Sequence, residues 1–202
     1  MSQLGDVEYP VIGEPIVLEL ANTNYRNIDE MIDFLASPTL VEGWFVASPT
    51  GSLITRPTRW NAATRAQLAG IRDAIYDVMN CLIDNRLPER QSITRLNVAA
   101  ATSTPVPELR WIRNEGPGIR VRVATGPAID SLLNDLAVRA LELLTGPRAA
   151  DVRRCASDDC WMLFLKDHPR RRWCHNSCGH RNRQASYYRR THPQTPGSHS
   201  ND

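Results

Sequence analysis

Four of the five cysteines lie close together near the end of the chain, in a spacing that suits a metal ion. The pattern is Cys155-x4-Cys160, a gap of 13 residues, and then Cys174-x3-Cys178. Zinc prefers four soft ligands at tetrahedral corners, and two closely spaced cysteine pairs supply them. Four thiolates leave no open position for water, so the set predicts a structural zinc ion, not a catalytic one.

Other interpretations of these cysteines remain open at this stage. They could be ordinary buried thiols or redox thiols, and zinc thiolates can themselves be oxidised with loss of the metal. His175 and His180 lie close enough in sequence for either to replace a cysteine as ligand, although four cysteines already satisfy the metal. The fifth cysteine, Cys81, falls in an apolar helical segment and is assigned no chemistry.

Charge is distributed unevenly along the chain. Residues 1–147 carry 13 Lys and Arg against 17 Asp and Glu, a net charge of −4. Residues 148–190 carry 11 against 4, a net charge of +7. A basic module beside an acidic body favours binding to a polyanion such as DNA. The alternative is that the arginines only form a solvated surface.

Seven arginines are the candidate DNA contacts, because guanidinium groups pair well with phosphates. Three lie in the predicted hairpin between the cysteine pairs, and four lie in a predicted helix after Cys178. They are Arg170, Arg171, Arg172, Arg181, Arg183, Arg189 and Arg190. Tyr187 and Tyr188 could stack on bases or donate hydrogen bonds, whereas Trp161, Phe164 and Trp173 are expected to form a small core.

The cysteine module is predicted to have a treble-clef-like order. A strand over 161–165, a turn over 166–170 and a return over 171–173 would form a hairpin between the cysteine pairs. Cys174 and Cys178 would then flank the first turn of a helix. A module this small has little apolar core, so the metal would supply much of its folding free energy.

The preceding region is predicted to be mostly helical. Apolar residues at helical spacing predict long helices over 61–85 and 128–145, and Thr64 with Gln67 could cap the first of these unless it begins a turn earlier. Alternation in Ile119–Thr125 predicts the second strand of a β-hairpin with Pro107–Arg113. Shorter helices are expected over 29–35, 40–47 and 91–101, and 15–21 is either a strand or a short buried helix.

The fold class expected from these elements is α+β. A mostly helical N-terminal domain with a β-hairpin spans 1–147, a small zinc finger spans 148–190, and 191–202 form a flexible tail. No basic segment followed by an apolar run opens the chain, and no stretch approaches a membrane span, so a cytoplasmic protein without membrane contact is expected. The oligomeric state stays open, with a homodimer among the alternatives.

The residues of the cysteine module resemble a known family. Cys155-x4-Cys160-Trp-x2-Phe-Leu165, followed by Arg171-Arg-Trp-Cys174-x3-Cys178-Gly-His-Arg181, resembles the CGNR zinc finger. That finger ends bacterial proteins with an N-terminal ABATE domain, a family linked to stress-induced transcription regulation. Ile16-Val-Leu-Glu-Leu-Ala-Asn-Thr23 is similar to an apolar strand of that domain. One position departs from the pattern, because His180 stands where the signature has Asn.

The resemblance implies one structural zinc ion, DNA binding by the finger and a sensing role for the N-terminal domain. Glu19, Asn22 and Thr23 are candidates for contacts to a small-molecule effector, although a buried structural role for Asn22 is an equal alternative. We therefore expect a bacterial, zinc-binding, DNA-binding transcription regulator. The alternative is a ligand-sensing or protein-interaction protein whose finger only braces the fold.

An enzyme is not expected. The sequence has no G-x-S-x-G motif and no glycine-rich phosphate loop, and all five histidines lie at or after His168. Asp73 and Asp77 lie one helical turn apart, a placement that solvated helix charges explain.

Overall fold

The computed structural model describes residues 2–4, 7–26, 31–51, 54–102, 106–112, 116–122 and 126–191. Its helices are α1 (Ile16–Ala21), α2 (Pro38–Ala47), α3 (Ala62–Asp84), α4 (Arg90–Thr102), α5 (Ala128–Thr145) and α6 (Asn176–Thr191). Its strands are β1 (Ser2–Leu4), β2 (Val7–Tyr9), β3 (Asn24–Arg26), β4 (Met31–Asp33), β5 (Val106–Ile112), β6 (Gly116–Arg122), β7 (Val152–Arg154) and β8 (Leu163–Leu165). Consecutive strands pair in four antiparallel hairpins. The predicted α+β class is confirmed.

The long helix α3 has well-defined ends. Asn61 accepts a hydrogen bond from the Thr64 amide at 2.9 Å, and the Thr64 hydroxyl accepts one from the Asn61 amide at 3.0 Å. This capping box starts the helix a turn before the Thr64–Gln67 pair. Asn85 ends it in the left-handed conformation, with φ 51°. The apolar residues whose spacing predicted this helix are buried except for Leu82, which is 38% exposed; the buried ones are Leu68, Ile71, Ile75, Val78 and Met79.

The core forms around α1, whose six residues are all buried. α1 packs against α3 and α5, and Trp44 and Phe45 of α2 are fully buried. The same continuous core includes Val152, Leu163 and Leu165 from the cysteine module. The module therefore shares its packing with the helical region before it.

The structure decides two sequence predictions in the first third of the chain. Segment 15–21, left open between strand and helix, is the helix α1. The helix predicted over 29–35 is wrong, because Met31–Asp33 form β4 and pair with β3 in the register Tyr25↔Ile32. The bond from the Phe34 amide to the Thr23 carbonyl, 2.9 Å, extends this pairing. Residues 27–30 lie outside the described part of the chain.

The hairpin of the cysteine module differs from the prediction. β8 pairs with β7, which precedes the first cysteine, in the register Arg153↔Phe164, and not with 171–173. Residues 171–173 do return beside the first cysteine, where the Ala156 amide bonds the Arg172 carbonyl at 2.9 Å. The partner was missed because Val152–Arg154 has only three residues and no local strand pattern.

The β5–β6 hairpin is present with Leu109 opposite Ile119, and its second strand begins earlier than expected. The predicted positions 113–115 and 123–125, and the tail beyond Thr191, lie outside the described residues. Among the helices that the structure describes, none has the length and apolar character needed to cross a lipid bilayer.

Candidate zinc centre and nucleic-acid interface

A strand, a turn and the start of a helix bring the four predicted zinc ligands together. Cys155 directly follows β7. Cys160 closes a turn, because its backbone N–H donates a hydrogen bond to the Ser157 carbonyl at 3.0 Å. Cys174 lies just before α6 and Cys178 lies in its first turn. All four side chains are buried.

The four sulfurs have the spacing of a metal site. All the Sγ atoms lie within 4.8 Å of one another, and Cys174 Sγ is 3.6 Å from both Cys160 Sγ and Cys178 Sγ. A tetrahedral site with Zn–S bonds of about 2.3 Å has S–S edges of ~3.8 Å. A disulfide would need about 2.05 Å. The cluster therefore fits one structural zinc ion.

Electrostatics give the same answer. Hydrogen bonds from the neighbouring thiols hold the pKa of Cys155 far below its ordinary value, and the same proximity raises the pKa of Cys174 far above its own. Four thiols this close cannot all lose their protons unless a cation compensates the negative charge of the thiolates. Zinc supplies that charge and holds every ligand deprotonated.

Two N–H donors, one from Arg181 and one from the backbone of a ligand residue, stabilise charge on sulfur. Arg181 Nη2 donates to Cys178 Sγ at 3.3 Å, and the Cys174 amide donates to Cys155 Sγ at 3.5 Å. Arg181 is held in place by Asp159, 3.0 Å from its Nε. Such contacts orient the ligands and tune the metal site.

The cysteine cluster is enclosed by both parts of the chain. Phe164 and Met162 are buried against it, and Ile12, Tyr25 and Trp173 pack on it while partly exposed. Burial, with a smaller contribution from Cys160, raises the pKa of Tyr25 to about 12. Phe164 and Trp173, two of the three aromatic residues expected in this small core, are thus part of it.

Trp161, the third, is 42% exposed. Its carbonyl accepts a hydrogen bond from the Tyr76 hydroxyl at 3.2 Å, so this residue contributes to the contact with α3 through its backbone.

Polar contacts join the zinc module to the helical region at several places, and two of these involve ion pairs. At the first, Glu14 Oε2 accepts from the Leu165 amide at 3.0 Å, and Glu14 Oε1 pairs with Arg171 at 2.8 Å. At the second, Arg154 forms a two-pronged pair with Asp84 at 2.8 and 2.5 Å and also bonds the Asn80 side chain. The module is thus docked on α1 and α3.

The three candidate effector contacts are buried and bonded within the protein. Glu19 accepts from the amides of Ile12, 2.9 Å, and Glu14, 2.7 Å. Asn22 bonds both backbone groups of Leu163, and the Thr23 hydroxyl donates to the Leu20 carbonyl at 2.7 Å. This placement favours the structural alternative for Asn22.

The seven candidate DNA-binding arginines fall into two groups. Arg171 and Arg181 are used internally: Arg171 donates to Glu14, to the Leu165 carbonyl and to the Cys174 carbonyl, and its guanidinium lies over the Phe164 ring. The exposed group is Arg170, Arg172, Arg183 and Arg190. The side chain of Arg189 lies outside the described residues.

The helix α6 is buried only at its start. Cys178 and Gly179 are buried, and Gly179 lies against Trp173, where a Cβ would come within 3.2 Å of the indole. From His180 onward most described side chains are exposed or half-buried, and Tyr187 and Tyr188 are 65% and 63% exposed. The zinc site therefore anchors one end of a helix whose other end projects from the body.

Glu14 and Arg154, which link the module to the rest of the chain, were not predicted as functional residues from the sequence. A signal for Glu14 existed, because an acidic pair, Glu14 and Glu19, brackets an apolar run that folds into the core. No local signal distinguishes Arg154 from its neighbour Arg153, since its partners lie about 70 residues earlier in the chain.

These features define a helical domain that shares one core with a four-cysteine zinc module. The chain belongs to the ABATE family: the model of that family, described as "Putative stress-induced transcription regulator", matches residues 14–147. The model of the CGNR zinc finger matches residues 152–191. Neither description is that of an enzyme. No curated protein matches the chain.

Proposed function

We propose that this protein is a zinc-dependent transcription regulator that binds duplex DNA through α6. The observation that carries the proposal is an exposed stripe of polar and aromatic residues along that helix. His180, Arg183, Tyr187 and Arg190 are spaced i, i+3, i+7 and i+10, so they lie on one face, and all four are exposed. A stripe of cations and an aromatic ring is suited to phosphates and base edges.

The dimensions of the helix suit the major groove. An α-helix with its side chains is about 10–12 Å across, which matches the width of the groove, about 12 Å, and sixteen residues give a length of ~24 Å. Because the zinc site fixes the N-terminal turn, the helix enters as a rigid rod. Arg172, whose guanidinium lies 5.6 Å from the Trp173 ring beside Gly179, adds a cation where the helix begins.

The internal arginines refine the set of contacts proposed from the sequence. Arg183 and Arg190 on the stripe, with Arg170 and Arg172 in the preceding turn, are the proposed DNA contacts. Arg171 and Arg181 instead maintain the docked module and the zinc site. Loss of either would weaken DNA binding by disturbing the fold, which predicts a stability change that the exposed arginines would not show.

Fluorescence anisotropy with a labelled random duplex tests this function. Full-length zinc-loaded protein should bind at low salt, with an affinity that falls linearly on a logarithmic salt scale. The double variant Arg183→Ala, Arg190→Ala should bind more weakly and reduce the salt slope by about 2. Arg139→Ala, an exposed arginine paired with Asp135 on α5, is the matched control. Absence of salt-dependent binding would overturn the proposal.

A second candidate is a sensing or protein-interaction protein whose zinc module braces the fold. The shared core and the polar contacts made by Glu14 and Asp84 favour it, since they give the module a structural role. In that case the double variant would keep its stability and its zinc, and random duplex would not bind to either protein.

A further inference from the structure

An apolar cavity lies away from the zinc centre, between the end of α3, the start of α4 and the end of α5. Its volume is about 270 Å³. Its walls are mostly aliphatic and also include a thiol, a guanidinium and an amide. The described residues lining it include Val78, Leu82, Ile93, Leu96, Leu141 and Leu144.

The size and composition of this cavity indicate a binding site. Protein interiors are close-packed, and apolar cavities of about 150 Å³ stay dry and take up benzene. This one is larger and opens to solvent beside Leu82 and Ile93, which are 38% and 43% exposed. Water gains few hydrogen bonds there, so an apolar molecule would replace it favourably.

The charge at the rim indicates an uncharged ligand. Arg86 is the one charged residue among the described residues that line the cavity. Its guanidinium is already balanced by two carboxylates, with Nη2 3.8 Å from Asp77 and Nε 3.5 Å from Asp84. An anion would meet those carboxylates. Asn97, exposed at the rim, can hydrogen-bond a hydroxyl or carbonyl group.

We propose that this cavity binds an uncharged, mainly apolar small molecule larger than benzene, and that its occupancy is transmitted to the zinc module along α3. The last turns of α3 present Val78, Cys81 and Leu82 to the cavity. The same turns hold Arg154 of the module through Asn80 and Asp84. A ligand that orders the end of α3 therefore orders the docking contact.

The binding step is tested with an uncharged fluorescent probe, N-phenyl-1-naphthylamine, on the zinc-loaded full chain. Its fluorescence should rise saturably with one site per chain, and indole should compete. Ile93→Trp, which fills the mouth, should weaken probe binding at least ten-fold. Leu87→Trp, an exposed neighbour that does not line the cavity, should leave it unchanged. Equal binding by both variants, or no saturation, overturns the proposal.

A measurement on the unmodified protein covers the case in which Ile93→Trp does not fold. Methyl NMR with indole should shift the signals of Ile93, Leu96, Leu141 and Leu144, and unmoved signals would also overturn the site. Slower amide exchange at Arg153 and Arg154 with indole bound tests the transmission, and unchanged exchange rules it out. An effect of the ligand on DNA affinity rests on the proposed function. Probe binding, methyl shifts and amide exchange do not depend on DNA binding, so the cavity proposal and the proposed function can fail separately.

Discussion

The Asn22 side chain bonds both backbone groups of Leu163, although 141 residues separate them in sequence. Its amide nitrogen donates to the Leu163 carbonyl at 2.9 Å, and its oxygen accepts from the Leu163 amide at 2.8 Å. A side-chain amide thus takes the place of a neighbouring strand along β8. Both partners are buried, so this pair of bonds fixes where the zinc module sits on the helical region.

Replacing Asn22 tests this role. Asn22→Ala leaves the Leu163 amide and carbonyl buried without partners, so we expect a loss of about 2–4 kcal/mol in the free energy of unfolding. Urea denaturation of the zinc-loaded protein measures it. Asn97→Ala, at an exposed asparagine on α4, is the matched control and should change stability by at most about 0.5 kcal/mol. A loss no larger than that of the control would contradict the docking role.

Zinc removal should destabilise more than the finger. Because Val152, Leu163 and Leu165 belong to the common core, chelation should lower the Tm of the whole chain in one transition. Metal analysis should find one zinc per chain, lost in Cys174→Ser. Cys81→Ser, which changes the cysteine outside the cluster, should keep its zinc. An unaltered Tm after complete chelation would count against a structural ion.

Elements with a local sequence pattern were predicted correctly. Predictions were wrong where contacts between residues distant in sequence determine the structure. The helices α3 and α5 follow from apolar residues repeated over several turns, and the cysteine spacing indicates the metal directly. The segment 29–35 was misassigned because its state depends on pairing with β3. Arg171 has the same sequence context as Arg170 and Arg172, yet it pairs with the buried carboxylate of Glu14, 157 residues away in sequence.

That difference makes Arg171 and Arg172 a matched pair for separating stability from DNA binding. Arg171→Met leaves the buried Glu14 carboxylate without its cation, and we expect a loss of about 3 kcal/mol in the free energy of unfolding. Arg172→Met removes an exposed charge and should change stability by at most about 0.5 kcal/mol. Thermal or urea unfolding of the two zinc-loaded variants checks this.

The DNA assay gives the complementary result for the same pair. Arg172→Met should weaken binding to random duplex and lower the salt slope by about 1. If Arg171→Met were as stable as Arg172→Met, the assignment of Arg171 to the docked module would be wrong.

The buried Glu19 carboxyl should make stability depend on pH near neutrality. Burial raises its pKa from 4.5 to about 7, and the hydrogen bonds from backbone amides lower the pKa by less than burial raises it. Between those values the folded state binds more protons than the unfolded state, so stability falls as pH rises through this window. The contribution is complete below pH 4.5 and lost above about pH 7, and it amounts to about 3 kcal/mol.

Glu19→Gln isolates this effect, because an amide does not titrate while its oxygen can still accept from the Ile12 and Glu14 amides. Free energies of unfolding are compared between pH 5.5 and 8.5 with zinc in excess, which keeps the cysteine site loaded in both proteins. Subtracting the free energy of unfolding of the variant from that of the wild type cancels the contributions of other titrating groups. As pH rises, the wild type should lose stability relative to the variant. Parallel pH profiles would mean that Glu19 keeps its charge in the folded protein, held by the amides of Ile12 and Glu14.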